Sequence, residues 1–384
     1  MKLPVILRLT LLMTGAVEAS LRYNTYFDQW HTARLPDKAT TAGVTYVTIA
    51  FAESSIFNWG GQYVPFVPID QVRALFDAGT KVCLAVGGWG DNAGFTTALS
   101  TEQTRQTFAK NLAAELDRLG YDCVDIDYEY PGGNGADWKQ VPNQAREFEI
   151  KAFPMLLSQV KTAIGDKELS IAVPGRQVDM IAFTDEQTNK IDKVVDHVNV
   201  MTYDLMNRRM NQTCHHTSIV DSAVSIDTYI ERGIDASKLS LGIAFYAKWF
   251  TTAQGIECTS PIGCPTEMLE AADGSDTGLS GAVTFETSNY QDGGGWGVPP
   301  SFSTAMANGM TDEQNGGAWF WDAESRLFWT WDTPALIARK FTEIVESRGL
   351  GGVFAWSLTE DSHDWSHFRA MQEGVRGKSP RQYR

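Results

Sequence analysis

Acidic residues alternate with apolar and aromatic ones in the segment Tyr121-Asp122-Cys123-Val124-Asp125-Ile126-Asp127-Tyr128-Glu129-Tyr130-Pro131. In an extended strand, side chains two positions apart share a face, so Asp125, Asp127 and Glu129 point the same way. Carboxyl groups held close together with little water cannot all be ionised cheaply, and at least one pKa must rise. A carboxyl group with a raised pKa can act as a general acid near neutral pH. Glu129 ends the row, and we predict that it is the acid.

The segments around these acids predict a closed barrel of parallel strands. Short apolar runs recur along the chain between segments with helical periodicity. The predicted strands are Tyr23–Phe27, Tyr46–Phe51, Lys81–Val86, Cys123–Glu129, Leu169–Pro174, His197–Tyr203, Leu239–Phe245 and Gly352–Trp356. Eight strands that alternate with helices close a (β/α)8 TIM barrel of the α/β class, whose active sites lie at the C-terminal ends of the strands.

One connection in this pattern is much longer than the others. The stretch from Phe245 to the helix that begins at Pro334 far exceeds the roughly 2 to 6 residues of an ordinary βα loop. We place an insertion at about residues 250–317, between strand 7 and helix 7. Because a βα loop leaves the barrel at its catalytic face, the insertion is expected to form one wall of a cleft. Residues 20–384 then make one catalytic domain.

Two other interpretations of the acidic row stay open on the residues alone. Most runs of acidic residues are solvated surface, and Asp-x-Asp-x-Glu spacing can also ligate Mg²⁺ or Ca²⁺. No His cluster, phosphate-binding loop or EF-hand glycine accompanies the row. Carboxyl groups inside a barrel are costly unless they have a function, so we favour catalysis with no metal and no other cofactor.

The composition limits the classes of partner. The chain has 384 residues, of which 43% are hydrophobic and 21% are charged, and its formal net charge is -15. Proteins that hold phosphate backbones need an excess of Lys and Arg, so nucleic acid is not an expected partner. No segment after the N-terminus is long and apolar enough to span a membrane. A monomer is expected.

The N-terminus indicates export from the cell. Residues 1–19 contain a positive start, an apolar run from Leu3 to Val17 and small residues near the end, as in a secretory signal peptide. A buried first helix is the alternative interpretation, and Arg8 interrupts the apolar run. We expect a secreted, extracellular protein.

The cysteines fit the same compartment. Cys258 and Cys264 flank a turn-rich loop whose ends can meet, which predicts a disulfide in an exported protein. Cys83 and Cys123 lie within apolar runs and are interpreted as small buried core residues. Cys214 is expected to be a free thiol.

The acidic row resembles the signature of the family 18 glycoside hydrolases. Asp122-x-x-Asp125-x-Asp127-x-Glu129 matches D-x-x-D-x-D-x-E, and the resemblance, to chitinases of the fungal or bacterial type, extends over nearly the whole mature chain. Met201-Thr202-Tyr203-Asp204 also matches M-x-Y-D. Ala85-Val86-Gly87-Gly88 resembles S-x-G-G with Ala85 in place of the serine, and Tyr246-Ala247-Lys248 resembles Y-G-R with two changes. Lys248 in place of arginine keeps the charge but puts any bidentate contact in doubt.

The resemblance implies a chitinase that hydrolyses β-1,4-linked N-acetylglucosamine polymers with retention. Glu129 would protonate the glycosidic oxygen while the 2-acetamido carbonyl of the substrate attacks the anomeric carbon. Asp127 would orient the acetamido N–H, and Tyr203 would donate to the acetamido oxygen. Asp125 would share a proton and help to hold Glu129 protonated. The residues expected to bind chitin or chito-oligosaccharides are Tyr26, Trp30, Phe51, Trp89, Met201, Asp204, Tyr246, Lys248 and Trp356.

Two further functions remain possible on the same fold. A chitin-binding lectin would bind without turnover, but such proteins usually lose the acid, and both Glu129 and Asp127 are present. An endo-β-N-acetylglucosaminidase that trims N-glycans shares the fold and the acid. It needs a more open groove, whereas the long insertion is expected to deepen one side and suit a linear chain.

Overall fold

A computed structural model of the chain describes residues 21–290 and 298–377, and the predicted signal peptide lies outside them. In chain order the strands are β1 (Arg22–Asp28), β2 (Tyr46–Ala52), β3 (Lys81–Gly87), β4 (Cys123–Asp127), β5 (Glu168–Pro174), β6 (His197–Met201), β7 (Leu239–Ala244), β8 (Tyr246–Thr251), β9 (Ser280–Thr284), β10 (Met310–Asp312), β11 (Gly317–Asp322), β12 (Leu327–Trp331) and β13 (Gly352–Trp356). The helices are α1 (Ser55–Asn58), α2 (Ile69–Ala74), α3 (Ala93–Leu99), α4 (Glu102–Leu119), α5 (Glu147–Ile164), α6 (Asp185–Asp192), α7 (Ile219–Glu231), α8 (Phe302–Asn308), α9 (Pro334–Lys340) and α10 (Ser366–Gly377).

Eight of the strands form a closed barrel in the order β1-β13-β7-β6-β5-β4-β3-β2. Every neighbouring pair in this barrel is parallel. Helices lie between most of the successive strands, and α10 follows the last one. The predicted (β/α)8 fold is therefore confirmed, with all the predicted barrel strands present close to their predicted bounds.

Residues typical of helix ends bound the long helix α4. At the start of α4, Thr101 accepts a hydrogen bond from the Thr104 backbone N–H, and the Thr104 side chain bonds back to the Thr101 backbone. Such a cap is worth about 1 kcal/mol. Gly120 ends the helix in the left-handed region, with φ of 79°. Within residues 21–290 and 298–377, no helix has the length and apolar character needed to cross a membrane.

The alternation predicted for β4 is present. Val124 and Ile126 are buried in the apolar core that extends between the barrel and its helices. Asp125 lies on the opposite face, where it meets side chains from other barrel strands. The strand period of two thus sends the acids into the barrel and the apolar residues out of it.

The insertion folds as a second, antiparallel sheet in the order β10-β11-β12-β8-β9. This sheet begins at Tyr246 and ends at Trp331, so it extends beyond the predicted bounds of 250–317 on both sides. Pairing explains the difference, because β8 follows the barrel strand β7 almost directly and pairs with β12, with Phe250 opposite Phe328. These two rings are buried with Trp319 in a small apolar cluster of the insertion.

The cysteine pairs differ in part from the prediction. Cys258 and Cys264 form the expected disulfide, and Cys214 is free. Cys83 and Cys123, however, are not separate thiols, because they form a second disulfide. They are register partners on the neighbouring strands β3 and β4, with 4.4 Å between their Cα atoms. The sequence shows two buried cysteines, and only the strand pairing brings them together.

Alkylation of the denatured protein tests this thiol count. Without reductant, we expect one cysteine to react, and after reduction, all of them, as read by intact-protein mass spectrometry. Peptide mapping should assign the single label to Cys214. In the folded state, burial raises the pKa of this thiol to about 12. Three labelled cysteines without reductant, including Cys83 and Cys123, would contradict the second disulfide.

Candidate active site

A cavity of about 830 Å³ opens at the C-terminal ends of the barrel strands. Its lining includes every predicted site residue except Asp125, namely Tyr26, Trp30, Phe51, Trp89, Asp127, Glu129, Met201, Tyr203, Asp204, Tyr246, Lys248 and Trp356. These residues come from six barrel strands or the turns that follow them and from the insertion strand β8. Asp125 is fully buried.

Glu129 lies just beyond the end of β4 and is 9% exposed. Burial raises the pKa of its carboxyl group to about 7, a hydrogen bond from Tyr130 works against this rise, and the charges of Asp204 and Asp179 add to it. A carboxyl group in this state holds a proton near neutral pH and can still release it, as a general acid must.

Asp127 is buried two residues earlier and faces the same cavity. Burial raises the pKa of its carboxyl group well above the usual range, and the charges of Glu129 and Asp125 raise it further. Its Oδ1 atom is buried and has no hydrogen-bond partner among the described residues. A buried acceptor without a partner is costly, so this oxygen is suited to receive a donor from a ligand.

Asp125 supports this pair from below. Its carboxylate accepts hydrogen bonds from the Tyr26 hydroxyl at 2.8 Å, the Ser170 hydroxyl at 2.5 Å and the Asn199 amide at 3.0 Å. Burial raises its pKa, while the bonds from Ser170 and Tyr26 oppose that rise. Asp125 is thereby fixed by side chains from three other strands and raises the pKa of its neighbour Asp127.

Asp204 also lines the cavity, and its pKa stays low. Burial alone would raise its pKa, but Lys248, His216 and Tyr246 together lower it. Asp204 accepts a hydrogen bond from the Tyr246 hydroxyl at 2.8 Å, and its carboxylate lies 3.0 Å from the Lys248 Nζ atom. Lys248 therefore makes a single ion pair here. The Tyr203 ring lies 6.2 Å from that of Tyr246.

Aromatic rings make the floor of the cavity. Trp356 stacks on Phe51 at 5.5 Å between ring centroids, and Tyr26 lies at the same distance from Trp356. Trp30 and Trp89 also line the cavity and are 61% and 52% exposed, and Trp30 contacts Phe51 of the floor. Flat apolar surfaces of this kind pack against the C–H faces of sugar rings.

Charged residues that the sequence analysis did not identify form another part of the wall. Arg209 donates to the backbone oxygens of Asn134 and Gly135 at 2.7 and 2.8 Å, and its guanidinium lies 5.6 Å from the Trp89 ring. Arg209 also pairs with Glu270 of the insertion at 3.6 Å. These residues lie in loops with no sequence periodicity, so only their position after barrel strands could have indicated them.

One group of side chains next to the cavity has the spacing of a metal site. Within the described parts of the chain, such a group is limited to Asp28, His31 and Glu360, whose nearest ligand atoms lie within 4.8 Å of one another. Both Asp28 oxygens already accept hydrogen bonds from protein donors, including the His31 ring and the Ser357 hydroxyl. We therefore interpret the group as an ion pair.

Comparisons with known proteins agree with this geometry. The sequence profile of a family described as glycosyl hydrolases family 18 matches residues 22–361. Endochitinase 1 of Metarhizium anisopliae is 28% identical over 296 residues, which are 73% of this chain and 62% of that protein. This chain thus spans less than two thirds of that relative's length. A chitinase-like effector of Moniliophthora roreri is 27% identical over 390 residues, with 88% of this chain and 89% of that protein covered.

Solved structures share the fold. Catalytic domain 2 of the Ostrinia furnacalis group II chitinase has a TM-score of 0.72 and 21% identity, and the match covers 93% of this chain and 97% of that one. A mutant GH18 chitinase of Cycas revoluta in complex with (GlcNAc)4 has a TM-score of 0.68 and 21% identity, with 92% and 99% covered. With the family profile extending over most of the described residues, the chain belongs to glycosyl hydrolases family 18.

Proposed function

We propose that this protein is a retaining chitinase that hydrolyses β-1,4-linked N-acetylglucosamine polymers through the 2-acetamido group of the substrate. The observation that carries the proposal is the pair formed by Glu129 and Asp127. Glu129 has a pKa of about 7, and Asp127 offers an unpartnered buried oxygen to the same cavity. Relatives described as endochitinases and a similar structure that holds (GlcNAc)4 support the substrate class.

In the first step, Glu129 transfers its proton to the glycosidic oxygen as the bond from that oxygen to the anomeric carbon breaks. The acetamido carbonyl oxygen forms a new bond to the anomeric carbon from the opposite face, giving an oxazolinium ion. Its positive charge spreads to the acetamido nitrogen. The free Oδ1 of Asp127 can accept the N–H and stabilise that charge, and Tyr203 can donate to the acetamido oxygen.

In the second step, water attacks the anomeric carbon and reopens the ring. Glu129 is now a carboxylate and takes the proton from that water, which returns the acid to its starting state. Both attacks invert the anomeric carbon, so the product keeps the β configuration of the substrate. The floor of Trp356, Phe51 and Tyr26 holds the sugar in place for both steps.

We further propose that the protein acts outside the cell, on chitin or chito-oligosaccharides, as a monomer. Two disulfides support this location, since disulfides persist in oxidising compartments. One of them, Cys83–Cys123, joins the strand that carries the acids to its neighbour β3.

Glu129→Gln tests the general acid. We expect kcat on chitohexaose to fall by about 10²- to 10⁴-fold or more, since general acid catalysis contributes that much. Binding of chitohexaose, measured by calorimetry, should persist because the amide keeps the shape of the site. Early products of the wild type, read by NMR, should be β-anomers. Full activity in the variant would refute the mechanism, and binding without turnover in the wild type would instead indicate a lectin.

The requirement for the acetamido group provides an independent test. Fully deacetylated chitosan of matched length should bind weakly and remain uncleaved, because it lacks the internal nucleophile. Rapid chitosan cleavage by the wild type would mean that a protein group, and not the substrate, attacks the anomeric carbon.

Asp127→Asn should retain the fold, as judged by circular dichroism, and lose activity on chitohexaose by about 10²-fold or more.

The pH dependence should follow the proton on Glu129. Because its acid form is the active one, kcat/KM should fall as the pH rises through about 7. Asp179→Asn removes a carboxylate that raises the pKa of Glu129, so this alkaline limb should move to lower pH. Asp276→Asn is the matched control, since Asp276 also lines the cavity and is not among the charges that shift Glu129. If the alkaline limb of kcat/KM lies at the same pH in the wild type, Asp179→Asn and Asp276→Asn, the proposed influence of Asp179 on Glu129 is ruled out.

A further inference from the structure

We propose that His31 is a positioning residue that holds Trp30, the turn after Trp356 and the inner edge of the insertion in place for binding of long substrates. The proposal rests on the function proposed above. His31 itself does not line the cavity, so it acts through the groups that it ties together. These groups belong to three segments that are far apart in the sequence, and each brings one carboxyl group to the imidazole ring.

The first segment is the end of β1. Asp28 is fully buried, and its Oδ1 atom accepts the backbone N–H of Trp30 at 2.8 Å and that of His31 at 3.0 Å. The same oxygen lies 2.9 Å from the His31 Nδ1 atom. Asp28 thus fixes the turn that carries Trp30, and the imidazole contacts the same Asp28 oxygen that holds this turn.

The second segment follows β13. The hydroxyl of Ser357, the residue after Trp356, donates to the other Asp28 oxygen. Three residues further on, Glu360 is 4% exposed, and its Oε1 atom lies 3.4 Å from His31 Nδ1. The chain that leaves the sugar-stacking tryptophan is therefore joined to β1 by one hydroxyl and one imidazole.

The third segment belongs to the insertion. Glu286 lies just after β9, and its Oε2 atom is 3.9 Å from the Nε2 atom of His31. The neighbouring Phe285 N–H donates to the Glu360 backbone oxygen at 2.8 Å. Because residues of β9 line the cavity, the position of Glu286 influences the position of that wall.

The charges around the ring make it a cation. Burial alone would lower the pKa of His31, but Asp28, Glu360 and Glu286 together raise it to about 9. Burial raises the pKa of Glu360 to about 8, with His31 opposing and the two other carboxylates reinforcing this rise. The His31 imidazolium therefore contacts carboxyl groups from β1, from the turn after β13 and from the insertion. It keeps its positive charge to mildly alkaline pH.

Trp30 is the group that depends most on this arrangement. Its indole is 61% exposed and meets the Phe51 ring at 6.4 Å, so its place is set largely by its backbone. Trp356, in contrast, packs against both Phe51 and Tyr26. Loss of His31 is therefore expected to weaken contact with sugars that extend beyond the floor and to leave the chemistry at Glu129 intact.

His31→Gln tests the proposal in the full-length protein. We expect KM for chitohexaose to rise about five- to tenfold, as for the loss of one aromatic contact, with kcat within about twofold of wild type. KM for a short chromogenic chitobioside should hardly change. His363→Gln is the matched control, since His363 is an exposed histidine outside this group and the cavity.

A double substitution and a pH series separate positioning from general stability. If His31 acts through Trp30, adding His31→Gln to Trp30→Ala should raise KM little further. In the wild type, KM for chitohexaose should rise as the pH passes about 9 and the imidazole loses its charge, whereas His31→Gln should lack this step and keep only the changes at lower pH, where Glu129 and Glu360 titrate. The proposal would be overturned if His31→Gln and Trp30→Ala had additive effects on KM. It would also be overturned if His31→Gln lowered kcat equally on chitohexaose and on the chitobioside.

Two measurements keep this test distinct from that of the proposed function. If the wild type cleaves neither substrate, the chitinase proposal fails, and calorimetry of chitohexaose binding to the wild type and to His31→Gln still reports on His31. If His31→Gln does not fold, Glu286→Gln removes one of the three carboxylates without altering β1 and should raise KM by a smaller factor. Unchanged affinity in Glu286→Gln, together with the lack of a step near pH 9 in the wild type, would refute the positioning role.

Discussion

The free energy of burying carboxyl groups on one strand governs this structure. Asp125, Asp127 and Glu129 lie in a barrel mouth where water is scarce, and ionising all of them there would be costly. The chain lowers this cost unevenly. Asp125 receives donors from three other strands, Asp127 keeps a free oxygen, and Glu129 holds a proton to about pH 7. Hydrogen bonding from the protein thus differs along the row. Asp125 is held by other side chains, Asp127 can accept a hydrogen bond from a ligand, and Glu129 can give up a proton.

Much of the site was predictable because its main signals are local. The period of two in β4 directs Asp125 and Asp127 inward whatever the rest of the chain does, and apolar runs of similar length indicate the other barrel strands. In a barrel, the ends of parallel strands must meet at one face, so residues such as Tyr203 and Trp356 converge once the strands are known. The family signature adds roles to these positions.

The remainder depends on contacts between segments that have no sequence relation to each other. The Cys83–Cys123 disulfide needs the register of β3 against β4, and the extent of the insertion sheet needs the pairing of β8 with β12. Nothing in the sequence separates Arg209 from the other arginines, and its place in the wall depends on backbone oxygens of the loop after β4. Local propensity carries none of this information, because loops take their shape from the elements they touch.

The insertion is held to the barrel by charged contacts at more than one place, and this has a consequence for the cleft. Glu270 meets Arg209 in one part of the wall, and Glu286 meets His31 in another. The His31–Glu286 pair is partly exposed and so responds to salt and pH, whereas the Arg209–Glu270 pair is largely buried and the floor of Trp356 and Phe51 is held by packing. The wall and the acid are nevertheless linked, because Lys248 of β8 pairs with Asp204, whose charge raises the pKa of Glu129.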